Sequence, residues 1–279
     1  MKFASVTGLI TKTLVLLFVP LMLNTACVRT PQPIQRNANI KVVRKQVNNP
    51  EDIVAISDSL VPPIVYSDAI PLDTLPVNVR KKKFFDMMLP AVLVAKTKLD
   101  MTRKRVIQIT AKKKKTPVER SFLDSLEIRY NTQNPKTLLK RLHALPVSVV
   151  LAQAAIESGW GTSRFFREAN NPFGMWSFND DHARIVALYT RDGKEIYLRK
   201  FNTLESAIEA YYYMLATRKP YRKLRNLQQQ TDDPFVLING LDKYSERGMA
   251  YVDELALMIR ANDLVKFDNY EIDPQYIED

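Results

Sequence analysis

The segment between Pro146 and Gly159 limits the fold more than any other part of the sequence. Its residues Val147–Ile156 are apolar nearly all round, the exceptions being Ser148 and Gln153. A helix that is apolar on every face is stable only when other elements cover it. Because Pro146 suits the start of a helix and Gly159 suits its end, the pattern predicts one buried helix over this segment.

Glu157 comes at the end of this predicted helix, four residues after Gln153 and on the same face. A buried carboxylate is costly unless it has a use. Desolvation and the negative end of the helix dipole would both raise the pKa of this carboxyl and favour its protonated form. A general acid must be protonated, so Glu157 is a candidate for that role. The alternative is an exposed or hydrogen-bonded glutamate without a chemical role.

Helix-start signals recur along the chain from residue 80 onward. They combine apolar positions at helical spacing with a capping residue, a capping box or a proline in the first turn. Pro90 falls inside the first of these helices and marks a kink or an early start. The predicted helices begin near Phe84, Pro117, Pro135, Pro146, Asn202, Pro234 and Ala250.

Between Ile185 and Phe201, β-branched and aromatic residues flank Asp192-Gly193, which is the strongest short signal for a β-hairpin. The chain has only seven Gly and long stretches of helical periodicity, which argues against an all-β fold. We therefore predict a mainly α protein with one small hairpin.

Composition excludes several classes of protein. A single Cys rules out a disulfide framework within the chain, and one Cys with two His argues against a dedicated zinc site. No glycine-rich phosphate loop is present, so the sequence predicts no phosphate-binding site of that kind. The net charge is +11, but the basic runs Lys81–Lys83 and Lys112–Lys115 are interpreted as solvated surface and not as a nucleic-acid site.

Residues 1–26 have the composition of a signal peptide, with the short apolar run Thr13–Leu23 after the leader's only charges. The run ends in a sequence that resembles a bacterial lipoprotein cleavage site and precedes Cys27, although Asn24 departs from that pattern. The prediction is an exported protein of the cell envelope, in the periplasm or at the outer membrane, that is anchored by a lipid on Cys27. The alternative is a free thiol beside an ordinary signal peptide.

The segment 27–79 holds seven prolines and no sustained helical periodicity, so we expect a tether with at most a short ordered piece. A helical lead-in follows over residues 80–144. The domain with the buried helix covers residues 145–267, and residues 268–279 are expected to be a C-terminal tail. Loss of the leader would remove two Lys and no acidic residue. The exported chain would therefore remain basic and suited to anionic wall polymers or lipid headgroups.

Four runs in the second half of the chain resemble the glucosaminidase family of bacterial cell-wall hydrolases, family 73 of the glycoside hydrolases. The basic lead-in is similar to the branch known as Bax-type proteins, and the resemblance covers about residues 80–267. It implies a lysozyme-like α+β domain. The matching runs are Ala154–Ser163, Asn170–Gly174, Phe201–Ser206 and Tyr244–Tyr251.

The resemblance also implies roles for individual residues. Glu157 matches the catalytic general acid, and Tyr244 matches an active-site tyrosine that binds the substrate or steadies the reacting sugar. Trp160 is equally well explained as a core residue, and Asn171 as a turn residue that holds the backbone. The implied substrate-binding set is Gln153, Trp160, Asn171, Phe173, Trp176 and Tyr251.

A second carboxylate is usual in glycosidases and is sought on the hairpin in this family. Glu195 is the preferred candidate because it shares one face of the return strand with Tyr197, Arg199 and Phe201. A cleft on that face would place its carboxylate beside the substrate. A cross-strand ion pair is its alternative explanation. Assistance by the N-acetyl group of the substrate would remove the need for it. The other candidates are Asp180, Asp181 and Asp192.

The activity implied by the resemblance is hydrolysis of the glycan strands of peptidoglycan, as an endo-β-N-acetylglucosaminidase without a cofactor. Two alternatives remain open at this point. One is a muramidase or lytic transglycosylase on the same polymer, and the other is a non-catalytic glycan-binding module. The expected partners are peptidoglycan and, through the anchor, a membrane; the sequence does not predict the oligomeric state.

Overall fold

The computed structural model describes residues 39–178, 182–191 and 193–278, and this part of the chain is mostly helical, as predicted. The leader and Cys27 lie outside the described residues, as do Asp180, Asp181 and Asp192. No described helix combines the length and the apolar character needed to cross a membrane. The α-helices of the described part are α1 (Val77–Thr110), α2 (Pro117–Arg129), α3 (Pro135–Arg141), α4 (Val147–Ser158), α5 (Arg164–Ala169), α6 (Leu204–Thr217), α7 (Arg222–Leu227), α8 (Pro234–Leu237) and α9 (Met249–Ala261).

The strands of the described part are short and form four two-stranded sheets. β5 and β6 form the predicted antiparallel hairpin, with Arg184 opposite Arg199 and Thr190 opposite Glu195. Two of the other sheets join the N-terminal segment to the C-terminal one, since β1 pairs with β8 and β3 with β7. The remaining sheet pairs β2 with β4 within the N-terminal segment. The strands are β1 (Asn39–Ile40), β2 (Val43–Lys45), β3 (Leu60–Val61), β4 (Ile64–Tyr66), β5 (Arg184–Arg191), β6 (Lys194–Arg199), β7 (Glu271–Ile272) and β8 (Ile277–Glu278).

Helix α4 lies in the core, as its apolar sequence predicts. Its residues from Val147 to Ala155 are all buried. The carboxylate of Asp268 accepts hydrogen bonds from the backbone N–H of Ser148, at 2.7 Å, and from the hydroxyl of Ser148, at 2.8 Å. Because the first N–H groups of a helix have no partner within the helix, this carboxylate supplies one. Gly159 ends the helix with φ = +58°, a conformation that glycine adopts without strain.

The lead-in predicted over residues 80–144 is a single long helix followed by two shorter ones. α1 continues through Pro90, and its buried residues between Phe84 and Ala95 belong to the same core as α4 and α6. The far end of α1 forms a separate cluster with α2 and α3, which includes Val106, Leu123 and Leu138. The first half of α1 is therefore part of the body that surrounds α4.

The segment that was expected to be a tether is instead packed on the core from residue 39 onward. Val65 and Leu72 are fully buried, and β1 and β3 pair with the C-terminal strands β8 and β7. The predicted C-terminal tail is therefore also part of the body. The prediction failed because strands of two or three residues show no periodicity, and because prolines separate the apolar residues that the fold buries.

Asn170 ties this N-terminal segment to the rest of the body. Its side-chain oxygen accepts a hydrogen bond from the backbone N–H of Ala69 at 2.8 Å. Its Nδ2 donates to the carbonyl oxygen of Ser67 at 3.0 Å and to that of Phe201 at 3.1 Å. One side chain of the Asn170–Gly174 run therefore joins three segments of the chain.

Candidate active site

A cleft of about 930 Å³ lies between the loop after α5, the hairpin, the end of α6 and the loop before α9. Glu157, at the end of α4, is part of its wall. The remaining described lining includes aromatic, cationic and polar side chains. They are Phe173, Gly174, Met175, Trp176, Phe178, His182, Thr190, Ile196, Arg199, Met214, Arg218, Tyr221, Tyr244, Ser245, Glu246 and Arg247.

Glu157 is partly buried where it meets this cleft. Its Oε1 accepts a hydrogen bond of 2.8 Å from the hydroxyl of Tyr251. Burial raises the pKa of the Glu157 carboxyl above its usual value, although the Tyr251 hydrogen bond and the charge of Arg247 oppose this shift. The carboxyl therefore keeps a proton to a higher pH than an exposed glutamate does.

A chain of buried hydrogen bonds stands behind Glu157. The Nε2 of Gln153 donates to the hydroxyl oxygen of Tyr251 at 2.9 Å. The hydroxyl of Tyr211 donates to the side-chain oxygen of Gln153. Because Gln153 already donates to Tyr251, the hydroxyl proton of Tyr251 is directed at Glu157.

Gln153 and Tyr251 are fully buried, so the structure does not support their predicted contact with the substrate. Gln153 shares the face of Glu157, as the spacing predicted, but it lies behind the carboxylate and not in the cleft. Tyr251 contacts Glu157 from the same side. Both residues position the candidate acid.

Tyr244 lines the cleft, as expected for an active-site tyrosine. Its hydroxyl donates to the carbonyl oxygen of Phe173 at 3.2 Å, and its ring stacks on that of Tyr251 with centroids 5.6 Å apart. The tyrosine that contacts Glu157 is therefore Tyr251, which lies in the same run of the sequence. Tyr244 forms the surface above it.

The loop after α5 depends on Asn171, which is buried. Its Nδ2 donates to the carbonyl oxygens of Met175, at 3.0 Å, and Arg199, at 2.9 Å, and its Oδ1 accepts from the N–H of Met175 at 3.0 Å. All of these partners are backbone groups. The structure thus supports the alternative of a turn residue and not the predicted contact with substrate.

The ring of Phe173 stacks on Tyr211, with centroids 4.1 Å apart, and only part of the side chain borders the cleft. Most of the Phe173 side chain is therefore buried by packing within the protein and is not open to the cleft.

Trp160 does not line the cleft. Its ring makes edge contacts with Phe84, at 5.8 Å, and Phe85, at 5.4 Å, and the ammonium of Lys81 lies 4.6 Å from its centroid. The chain turns away from the cleft at this point, because Trp160 follows Gly159 in the left-handed region with φ = +60°. Of the two explanations offered by the sequence, the structure favours packing at the edge of the core.

Trp176 and Phe178 form the aromatic surface of the cleft. Their ring centroids are 6.0 Å apart, and Phe178 is 73% exposed. Exposed aromatic rings of this kind can stack on the apolar face of a sugar. Binding of substrate by Trp176 stays a prediction, and Phe178 is an addition that only the tertiary structure identifies.

Glu195, the preferred second carboxylate, is exposed and accepts a hydrogen bond from the hydroxyl of Tyr197. Its cross-strand partner Thr190 and its neighbour Ile196 line the cleft, whereas Glu195 is not among the described lining residues. Glu246 is the carboxylate other than Glu157 in that lining. Sequence reasoning missed it, although it belongs to the Tyr244–Tyr251 run.

Three arginines, Arg199, Arg218 and Arg247, also line the cleft and were not predicted. Arg247 forms an ion pair with Glu254. No group of three or more His, Cys, Asp or Glu side chains within the described ranges is arranged to hold a metal ion.

The family model described as mannosyl-glycoprotein endo-beta-N-acetylglucosaminidase matches residues 133–264. Protein bax of Escherichia coli (strain K12) is 29% identical over 197 residues, which are 66% of this chain and 70% of that protein. The exo-glucosaminidase LytG of Bacillus subtilis (strain 168) is 29% identical over 129 residues, 46% of this chain and 43% of that protein. The catalytic domain of the autolysin Auto from Listeria monocytogenes is 20% identical with a TM-score of 0.38, covering 59% of this chain and 96% of that domain. Residues 133–264, just under half of the chain, therefore match the glucosaminidase family.

Proposed function

We propose that this protein is a peptidoglycan hydrolase that cuts glycan strands as an endo-β-N-acetylglucosaminidase, with Glu157 as the general acid. The observation that carries the proposal is the position of Glu157. Glu157 lies in the last turn of the buried helix α4, and its carboxyl borders the cleft of about 930 Å³. Burial raises the pKa of this carboxyl. The match of residues 133–264 to the glucosaminidase family model supports the reaction class, and the resemblance of the four sequence runs to cell-wall hydrolases supports the polymer.

The hydrogen bond from Tyr251 determines which oxygen of Glu157 carries the proton. Oε1 accepts from the Tyr251 hydroxyl, so a neutral carboxyl carries its proton on Oε2. In the proposed reaction, that proton passes to the glycosidic oxygen as the bond between this oxygen and the anomeric carbon breaks. Glu157 is left as a carboxylate, and the Tyr251 hydrogen bond and the charge of Arg247 stabilise it.

The second half of the reaction needs a water molecule that attacks the anomeric carbon and gives up a proton. Three routes are open within the proposal: Glu246 as the base, Glu195 as the base, or assistance by the N-acetyl group of the substrate. The position of Glu246 in the cleft favours it over Glu195 among these two carboxylates.

The test is digestion of purified cell wall by wild type, by Glu157→Gln and by the control Glu271→Gln, whose side chain is exposed on β7. Mass spectrometry identifies the new chain ends. We expect reducing N-acetylglucosamine ends from wild type and the control, and none from Glu157→Gln. Reducing muramic acid ends would indicate a muramidase, and anhydro-muropeptides a lytic transglycosylase. Unchanged lysis by Glu157→Gln would contradict the role of Glu157.

A non-catalytic binding module is the remaining alternative. It would bind purified wall without releasing any fragment, in wild type as well as in the Glu157→Gln variant.

Export and lipid attachment at Cys27 are a further part of the proposal, supported by the composition of residues 1–26. The mass of the mature N-terminus tests this directly. A diacylated cysteine at the N-terminus is the expected result, and an unmodified Cys27 within a longer chain would contradict it.

A further inference from the structure

Arg199 and Arg218 place two positive charges in the lining of the cleft. Arg199 is the last residue of β6, and Arg218 directly follows α6. The guanidinium of Arg199 lies 4.8 Å from the ring centroid of Phe201, and that of Arg218 lies 5.7 Å from the ring centroid of Phe178. These aromatic rings hold the two cations at the cleft surface.

Neither guanidinium forms an ion pair with a carboxylate among the described residues. Other cations in this part of the chain do so: Lys98 contacts Glu205 and Glu209, and Arg247 contacts Glu254. Burial lowers the pKa of Arg199, and the charge of Arg218 lowers it further. Both guanidinium groups line the same cleft, and an anion bound between them would reduce the repulsion between these like charges.

Tyr221 relates this pair to the candidate acid. The phenol is buried at the cleft and interacts electrostatically with both Arg218 and Glu157. An anion held by the arginines would therefore lie within the same cleft as the bond that Glu157 is proposed to protonate.

We propose that Arg199 and Arg218 form a subsite that binds a carboxylate carried by the glycan substrate. The guanidinium group matches a carboxylate in shape and charge and can bind it through two parallel hydrogen bonds. This inference rests on the proposed function, because peptidoglycan bears carboxylates along its strands whereas a plain N-acetylglucosamine polymer has none.

The carboxylate has two sources in such a polymer. In intact strands the muramic acid carries a stem peptide, whose carboxylates extend from the sugar. Removal of the peptide by an amidase frees the lactyl carboxylate of muramic acid itself. The subsite selects acid-bearing strands in either case, and the two sources predict different binding to strands without peptides.

The experiment measures dissociation constants in a Glu157→Gln background, where no ligand is consumed. Three soluble ligands of equal sugar number are compared: peptide-bearing strands, amidase-treated strands and a chitooligosaccharide. The variants are Arg199→Gln, Arg218→Gln and the double substitution. Lys223→Gln is the matched control, because Lys223 is exposed on α7, outside the cleft. Circular dichroism verifies that each variant is folded.

We expect each arginine substitution to weaken the binding of acid-bearing strands about tenfold, which corresponds to about 1.4 kcal/mol. Binding of the chitooligosaccharide and the Lys223→Gln control should not change. A loss with peptide-bearing strands only identifies the stem peptide as the source. A loss with amidase-treated strands only identifies the lactyl carboxylate, because this group is bonded as an amide in peptide-bearing strands. A loss with both kinds of strand shows that the subsite binds either carboxylate.

Three results would overturn the subsite: no loss with any ligand, an equal loss with all three ligands, or an equal loss in the Lys223→Gln control. The proposed function has its own test, since cleavage of wall by wild-type protein is measured separately. Absence of cleavage with an intact binding pattern would reject the hydrolase and not the subsite.

Discussion

The hydroxyl of Tyr251 donates a hydrogen bond of 2.8 Å to Oε1 of Glu157, and the two residues are 94 positions apart in the chain. Helix α9 therefore positions the carboxyl that ends α4. The bond also opposes the effect of burial on the pKa of Glu157.

Replacement of Tyr251 by Phe removes the hydrogen bond that lowers the pKa of Glu157. The pKa of the carboxyl should therefore rise, and the basic limb of the activity–pH profile should move to higher pH. We expect kcat to fall about tenfold, since a misplaced acid loses about 1.4 kcal/mol of transition-state stabilisation.

Tyr244→Phe is the matched control, because its hydroxyl contacts the carbonyl of Phe173 and not Glu157. Its basic limb should remain at the wild-type position. An identical profile for wild type and Tyr251→Phe would show that this hydrogen bond does not set the protonation of the acid.

Glu157→Gln should be more stable than wild type at neutral pH. Burial raises the pKa of Glu157 in the folded protein, so folding is penalised where the carboxyl must be ionised. The penalty is absent below the usual pKa of a glutamate and is complete above the raised pKa. The gain should therefore appear as pH rises through that window.

Thermal unfolding of both proteins from acidic to neutral pH measures this gain. The exposed-site control Glu271→Gln should follow wild type at every pH. A gain that is the same at all pH values would mean that ionisation of Glu157 is not its cause.

Glu246→Gln and Glu195→Gln distinguish the routes to the attacking water. If Glu246 is the base, its substitution should lower kcat by about 10²–10⁴-fold. Glu195→Gln should have little effect, because Glu195 is not among the described lining residues of the cleft and accepts a hydrogen bond from Tyr197. The measurement is the initial rate on soluble glycan strands.

A large loss of kcat with Glu195→Gln alone would support Glu195 as the second carboxylate, as predicted from the sequence. Near-normal rates for both variants would favour assistance by the N-acetyl group of the substrate.

Leu72→Ala tests whether the Pro-rich segment is part of the folded body. Leu72 is fully buried, so its truncation should lower the free energy of unfolding by about 2–5 kcal/mol. Leu60→Ala is the control, because Leu60 is 47% exposed and lies in the same segment.

Denaturant unfolding of both variants gives the comparison. Equal stability of Leu72→Ala and wild type would contradict the packing of this segment and favour the tether that its composition predicted.

Local sequence patterns determined the helical body, the hairpin and the resemblance of residues 133–264 to the glucosaminidase family. Caps, first-turn prolines and apolar periodicity act over a few neighbouring residues, so α2, α4 and α6 were found near their observed bounds. The Ala154–Ser163 run is also a local pattern. Because a run of this length is specific to a family by itself, it indicated Glu157 as the candidate acid.

Tertiary structure alone decided which side chains meet at the cleft. Three contacts or groupings join distant parts of the chain. They are the hydrogen bond from Tyr251 to Glu157, the hydrogen bond from Ala69 to Asn170, and the presence of Arg199 and Arg218 in the lining of one cleft. Residues such as Asn171 and Trp160 belong to the family runs, but their burial depends on what packs over them. The physical reason is that hydrogen bonds and desolvation depend on distances in the folded chain, which spacing along a sequence does not contain.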